Sequence, residues 1–277
     1  MSIKESEKIS YQFFPAIDED YEDDKLILSI VIDCYFNLDY VKKSVQSIID
    51  QDYQNVELVL IDNYSSNDIS IFLKTIYEEN KNTILIKYDE NQFSWNDTEL
   101  NIAVCWNAGL IRSKGEIVSH LAYDDQLSRN YASSMTKLFF DNPNCMTAAP
   151  LPVSIDMDGN INDEKSFVTI NNRPRYINGK KLALDFINGS PQSLIAAPGE
   201  IFAIRREILM KFGGFERGFD SIQILKYAIH GDSGFDQNSY LYWRHHDNQV
   251  NRLSKNRGHV HVSYLKKVII NSIIIEI

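Results

Sequence analysis

The feature that most constrains this chain is an alternation in its first half, where short β-branched runs are followed by stretches of helical period. Leu26 to Asp33 is nearly continuous apolar sequence, and Val56 to Ile61, Thr83 to Tyr88 and Glu116 to Leu121 repeat the pattern. Such runs belong to strands buried on both faces. Between them, Tyr40 to Ile49, Ile69 to Glu79 and Leu100 to Ile111 set apolar residues on one helical stripe. Strand–helix–strand units at this spacing predict an α/β fold, a Rossmann-like, mostly parallel sheet flanked by helices. Ligands collect beyond the carboxyl ends of such strands. Those ends are Asp33 to Asn37, Asp62 to Asp68, Tyr88 to Asn91 and Ala122 to Gln126.

Past about residue 150 the alternation fades. Asp156-Met-Asp-Gly-Asn160 reads as a turn joining two short strands. Glu200 to Ile204 and Ser239 to Trp243 read as strands. Arg206 to Phe212 reads as a helix ended by Gly213-Gly214, Ser221 to His230 as another, and Val260 to Ile275 as a closing one. The expected organisation is an acidic extension without regular structure (1–25), a main domain (26–255) and a C-terminal helix (256–277).

A formal charge of −10 argues against a nucleic-acid partner, because binding a polyanion rests on Lys and Arg. Any phosphate-bearing ligand must be met by a metal, helix N-termini or a few local cations. Cys34, Cys105 and Cys145 show no C-x-x-C spacing, as expected of reduced thiols in a cytoplasmic protein. The start lacks a signal-like apolar stretch, and Val268 to Ile275 is too short to span a bilayer. Leu265, Val268, Ile269, Ile273 and Ile274 form an apolar stripe beside Lys266 and Lys267. That stripe packs on the domain, joins a second subunit in a homodimer, or rests peripherally on the inner face of the membrane.

Four constellations carry chemistry. At Tyr123-Asp124-Asp125 two carboxylates follow a buried strand; there the strand alternation breaks and both can turn toward one hard cation, or they form a plain Asp-Asp turn. Asp62 directly follows apolar strand residues, where a carboxylate can accept from a ligand N–H, while Asp68 suits a helix cap. Asp220 follows Phe212-Gly-Gly-Phe215 and opens a helix, as an N-cap or as a general base facing the cleft. His246, in Trp243-Arg-His-His246, is a packed residue or completes a metal site with the Asp pair.

In this order the pieces resemble the family 2 glycosyltransferases of the GT-A fold, in their bacterial, inverting form. Ser29 to Asn37 is similar to their opening S-V-V-I-P-x-Y-N, and Gln51 to Asp62 to their Q-x-Y-x-N-x-E-I-I-V-V-D. Glu90-Asn91, Asn107-Ala-Gly109, Gly115 to Asp125, Phe212 to Phe215 and Arg244-x-His246 resemble further elements of that family. The resemblance covers about Leu26 to His246. It implies nucleotide contacts from Cys34, Tyr35, Asn37, Asp62, Asn91, Asn107 and Asp124, with Asp62 at the base. It implies Mn2+ or Mg2+ on Asp124, Asp125 and His246, and Asp220 as the catalytic base. The implied activity is transfer of a sugar from a nucleotide sugar, with UDP favoured, to a hydroxyl of a glycan or lipid-linked acceptor in surface polysaccharide synthesis.

Departures from the pattern are local. Ala122 stands where the family's D-x-D has its first Asp, Asp33 where the opening loop usually has Pro, and Ile222 where an acidic residue usually follows the base. The absence of an acidic residue at Ala122 keeps one alternative open, a catalytically silent GT-A-like domain that binds a nucleotide sugar or a partner protein. A nucleotidyltransferase is a weaker fit, since Tyr35-Phe-Asn-Leu-Asp39 has no Gly-rich, basic loop for a triphosphate.

Overall fold

The structure is a computed structural model that describes residues 3–94, 98–162, 174–188, 202–215 and 225–249. Its centre is four parallel strands: β2 (Leu28–Cys34), β3 (Val56–Asp62), β4 (Thr83–Tyr88) and β5 (Ile117–Ala122), in the order β4-β3-β2-β5. All seven residues of β2 are buried, which explains its unbroken apolar sequence. Ile30 and Ile32 pack on one face with Val41 and Val45 of α2 (Leu38–Ile49) and Ile69 and Leu73 of α3 (Asn67–Glu79). Val31 points to the other face, with Val104 and Ala108 of α4 (Thr98–Arg112). A Cβ on Gly109 would stand 2.4 Å from Val31 Cγ1, so a glycine there lets α4 lie directly on β2.

The acidic N-terminal residues are not a loose arm. They form a short helix, α1 (Ile3–Ser6), and a strand, β1 (Tyr11–Phe14), which pairs antiparallel with β4 and closes that edge of the sheet. Loop amides hold the segment that follows: Asn82 Oδ1 accepts from Asp20 N–H and Asn55 Oδ1 from Glu22 N–H, each at 2.7 Å. The N-cap position of α3 is Ser66 rather than Asp68, which lies in the helix's first turn.

Beyond β5 come β6 (Gln126–Leu127), α5 (Tyr131–Asp141) and β7 (Cys145–Ile155). Then follow β8 (Tyr176–Asn178), α6 (Gly179–Ile187), β9 (Ala203–Arg205), α7 (Arg206–Lys211) and β10 (Asp232–Arg244). Antiparallel β9 links β5 to β7, and β10 runs parallel to β7 with β6 and β8 antiparallel on it. Strand β10 starts earlier than its aromatic stretch indicates, because an irregularity between Asp236 and Tyr240 absorbs the polar residues between them. Residues 156–160 form the expected turn, with Asp156 N bonded to Asn160 O and a bridge from Ile155 to Ile161. The closing helix expected over 260–275 and the Asp220 helix start lie outside the described residues.

Candidate active site

The strand register sets the site. Cys34 pairs with Asp62, and Asp33 with Ala122, so the carboxyl ends of β3, β2 and β5 finish level. Asp62 is buried at the first of these ends. Its Oδ1 accepts from the amide and hydroxyl of Ser65 at 2.9 and 2.7 Å, while Oδ2 lies 3.7 Å from Lys87 Nζ. Oδ2 retains acceptor capacity toward a ligand N–H.

Asp33, which the sequence marks only as a missing proline, is a buried carboxylate beside Ala122. It accepts from Trp106 Nε1 and Asn101 Nδ2, both at 3.3 Å. Burial pushes its pKa up to about 7, the charge of Asp124 adds to that, and the two hydrogen bonds oppose it. Trp106 stacks on His120 with centroids 3.6 Å apart and meets Phe215 edge-on, so the strand ends connect to the Gly-Gly-Phe segment.

The loop after β5 separates its two carboxylates. Asp124 Oδ2 lies 2.8 Å from His246 Nε2, just past the end of β10. Asp125 points elsewhere: it is buried, and Oδ1 accepts the backbone N–H of Arg244 at 2.9 Å. The fold thus brings Asp124 together with His246, while Asp125, expected to face the same ion, is engaged by the backbone of Arg244. Adjacent side chains keep diverging, and Arg244 captures the second. Among the described residues no group of three or more His, Cys, Asp or Glu is placed to hold a metal. One carboxylate and one imidazole still suit a cation whose remaining ligands are phosphate oxygens and water. An imidazole ligand suits a transition ion such as Mn2+ better than Mg2+.

Aromatic rings form a wall beside this pair. Tyr35 stacks on Phe93 with centroids 5.5 Å apart and packs against Phe36 and Tyr123. Tyr40 lies 5.1 Å from the His246 ring. Asn91 Oδ1 accepts from Phe93 N–H at 2.7 Å and so shapes that wall, and Asn37 caps α2 by accepting from Asp39 and Tyr40 N–H. Cys34 is buried with its thiol directed at Ile32 O, and burial holds its pKa well above the usual thiol value.

Asn107, expected to meet a nucleotide, spends both ends of its amide on Phe215. Its Oδ1 accepts from Phe215 N–H at 2.7 Å and its Nδ2 donates to Phe215 O at 2.8 Å. Gly213 and Gly214 reach this contact with φ of +92° and +78°, where side chains are strained, and a Cβ on Gly214 would stand 2.2 Å from Asn107 Oδ1. Most of the Gln51–Asp62 motif is likewise structural. Gln51 ties α2 to α5 through Ser47 O and Ala132 N, Tyr53 donates to Leu26 O, and Glu57 accepts from Ser29 and Lys114. Only its last residue, Asp62, stands at the ligand end.

A sequence profile described as glycosyl transferase family 2 matches residues 29–213, well over half of the chain. An uncharacterized glycosyltransferase of Haemophilus influenzae is 25% identical over 134 residues, covering 48% of this chain and 50% of that protein. The chain thus spans about half the length of this curated relative. The mannosyltransferase PcManGT from Pyrobaculum calidifontis, in complex with GDP-Man and Mn2+, superposes with a TM-score of 0.59 at 16% identity, over 90% of this chain and 64% of that one. S. aureus TarS in complex with UDP-GlcNAc gives 0.59 at 11% identity, over 88% and 65% of the two chains. GalNAc-T7 with UDP, GalNAc and Mn2+ gives 0.55 at 14%, over 81% and 45%. At these identities the likeness is one of fold, the GT-A fold expected from the sequence.

Proposed function

The chain belongs to glycosyl transferase family 2, and from that premise we propose that it transfers a sugar, with inversion, from a nucleotide diphosphate sugar to an acceptor hydroxyl. The observation that carries this reading is the Asp124–His246 pair, placed level with Asp62 at the carboxyl end of the parallel strands. Asp62 would accept a ring N–H of the base, which favours a UDP-sugar. The rings of Tyr35 and Phe93 would flank the nucleoside. Asp124 and His246 would hold Mn2+ or Mg2+, whose chemistry is to stabilise the charge developing on the leaving diphosphate. Support for the metal includes the Mn2+ in the PcManGT and GalNAc-T7 complexes, and for the donor the GDP-Man of PcManGT and the UDP-GlcNAc of TarS.

The acceptor oxygen attacks the anomeric carbon as the bond to the diphosphate oxygen breaks. Its proton must go to a positioned carboxylate, because an alcohol is not ionised at neutral pH. Asp220, which the sequence puts after Gly213-Gly214-Phe215, is the residue we assign to this. A glycan or lipid-linked acceptor in surface polysaccharide synthesis fits the family, as does work at the cytoplasmic face of a membrane or as a homodimer. Among the described residues no helix is long and apolar enough to cross a membrane.

The test is incubation with UDP- and GDP-sugars, with and without Mn2+, following release of the nucleoside diphosphate. Slow metal-dependent hydrolysis of one donor is the expected result. Tight binding of that donor with no release under any acceptor would replace the enzyme with a silent nucleotide-sugar-binding domain, the reading that Ala122 keeps open.

A further inference from the structure

Arg244 is fully buried, yet among the described residues its guanidinium forms no ion pair with a carboxylate. Nε donates to Asp124 O at 2.8 Å, Nη1 to Asp156 O and Met157 O at 3.1 and 2.9 Å, and Nη2 to Gln126 Oε1 at 2.5 Å. The cation also lies 4.9 Å from the centre of the Tyr40 ring. Its backbone is equally engaged: the N–H on Asp125 Oδ1, the carbonyl accepting from Gln249 Nε2.

Burying a charge is costly, and an apolar residue of similar volume would close the same space without that penalty. What an apolar residue lacks is the planar fork, which reaches several fixed acceptors at once; a lysine, as a point charge, reaches fewer. The acceptors here come from two segments, the Asp124–Gln126 loop and the 156–160 turn, and both are joined to the end of β10. One of these acceptors belongs to Asp124. Its carbonyl is held by Arg244, and its carboxylate meets His246 two positions further along the chain. Both members of the pair are therefore referenced to one side chain that touches neither of their ligating atoms.

We propose that Arg244 is a positioning residue: it sets the relation of Asp124 to His246 for a divalent ion and couples the 156–160 turn to that site. This rests on the reading of Asp124 and His246 as metal ligands. Partners of metal ligands, when altered, weaken metal affinity by roughly 10–100-fold.

The experiment uses the full chain and two readouts: Mn2+ affinity in the presence of UDP, by electron paramagnetic resonance of the free ion, and UDP affinity without metal, by calorimetry. In folded Arg244→Lys, Mn2+ affinity is expected to fall by roughly 10–100-fold while metal-free UDP affinity stays at the wild-type value. Gln126→Leu, which removes a single acceptor at a partly exposed position, is expected to shift Mn2+ affinity in the same direction by less. It serves as the readout if the lysine variant does not fold. Wild-type Mn2+ affinity in the folded variants, or a parallel fall of both affinities, would overturn the positioning role. A wild-type protein whose UDP affinity is the same with and without Mn2+ would remove the metal reading itself, and the inference with it.

Discussion

His246 Nε2 and Asp124 Oδ2 lie 2.8 Å apart although 122 positions separate them in the chain. Strand β5 brings one to the mouth of the sheet and strand β10 the other, so the pair exists only in the folded state. If it holds the cation, Asp124→Ala removes the anionic ligand and His246→Ala the neutral one. In each variant the gain in nucleotide affinity on adding Mn2+ is expected to drop toward about one, while metal-free affinity persists. Calorimetry with UDP, with and without Mn2+, measures it. A full Mn2+ effect in Asp124→Ala would end the assignment.

The base assignment has a sharper probe than deletion. Asp62 uses Oδ1 to hold the Ser65 turn, so alanine would disturb the loop as well as the ligand. Asparagine keeps an acceptor for Ser65 and turns an NH2 toward the position where the ring N–H is expected. UDP affinity is then expected to fall by about 1.5–3 kcal/mol, roughly 10- to 150-fold, with little change in stability. GDP, with a different base edge, is expected to bind less well than UDP to the wild-type protein. Unchanged UDP binding by Asp62→Asn would place the base elsewhere.

Asn107 supports the structure rather than the ligand, and stability reports that. Removing its amide in Asn107→Ala leaves the buried Phe215 N–H and carbonyl without their partner, at about 1–3 kcal/mol each. Urea unfolding is expected to show a loss of roughly 2–4 kcal/mol. Nucleotide affinity measured on the folded fraction should hold. The reverse pattern, normal stability and lost affinity, would return Asn107 to the nucleotide site.

The parallel half of the fold was legible because strands buried on both faces carry an unmistakable apolar run, as Leu28–Cys34 does. Strand β7 was hidden by Pro150 and Pro152, which ordinarily argue against a strand. They are tolerated because β9 pairs with β7 only at Thr147 and Ala148, leaving that side of the later residues outside the ladder. Strand β1 has only four residues, and its partner β4 lies far along the chain. The placement of Asp62 and Asp124 at strand ends, and of His246 after a strand, could be read from strand ends and motif order. The contact of Asp125 with Arg244 N–H was not legible, because that partner comes from 119 positions away. Asp33 stands at the end of an apolar run just as Asp62 does, so the same signal marks it.

Asp220 stands outside the described residues, so its role rests on sequence and family. Asn caps a helix about as well as Asp, so Asp220→Asn preserves a capping role and removes a base. Turnover is expected to fall by roughly 10²–10⁴-fold with stability and donor binding intact. Near-normal transfer by this variant, in an assay following nucleoside diphosphate release, would leave Asp220 a cap.

The last expectation concerns pH. Asp33 has its pKa raised from the ordinary 3.8 to about 7 in the folded protein, chiefly by burial. Between those values the native state binds a proton that the unfolded chain does not. The slope of unfolding free energy with pH is set by protons bound in the unfolded state minus those in the native state, so it is negative here. Asp33 therefore costs stability as pH rises from about 4 to about 7, at up to about 1.4 kcal/mol per unit, and no more above that. Asp33→Asn is neutral throughout and lacks this slope. Its amide, facing Asn101 Nδ2, adds a pH-independent offset, so the slope is what is read. Urea unfolding of both proteins across that range should show the wild-type curve falling relative to Asp33→Asn by a few kcal/mol, then running parallel above about pH 7.5. Parallel curves from pH 4 upward would mean that Asp33 ionises like a solvated carboxylate and carries no proton near neutrality.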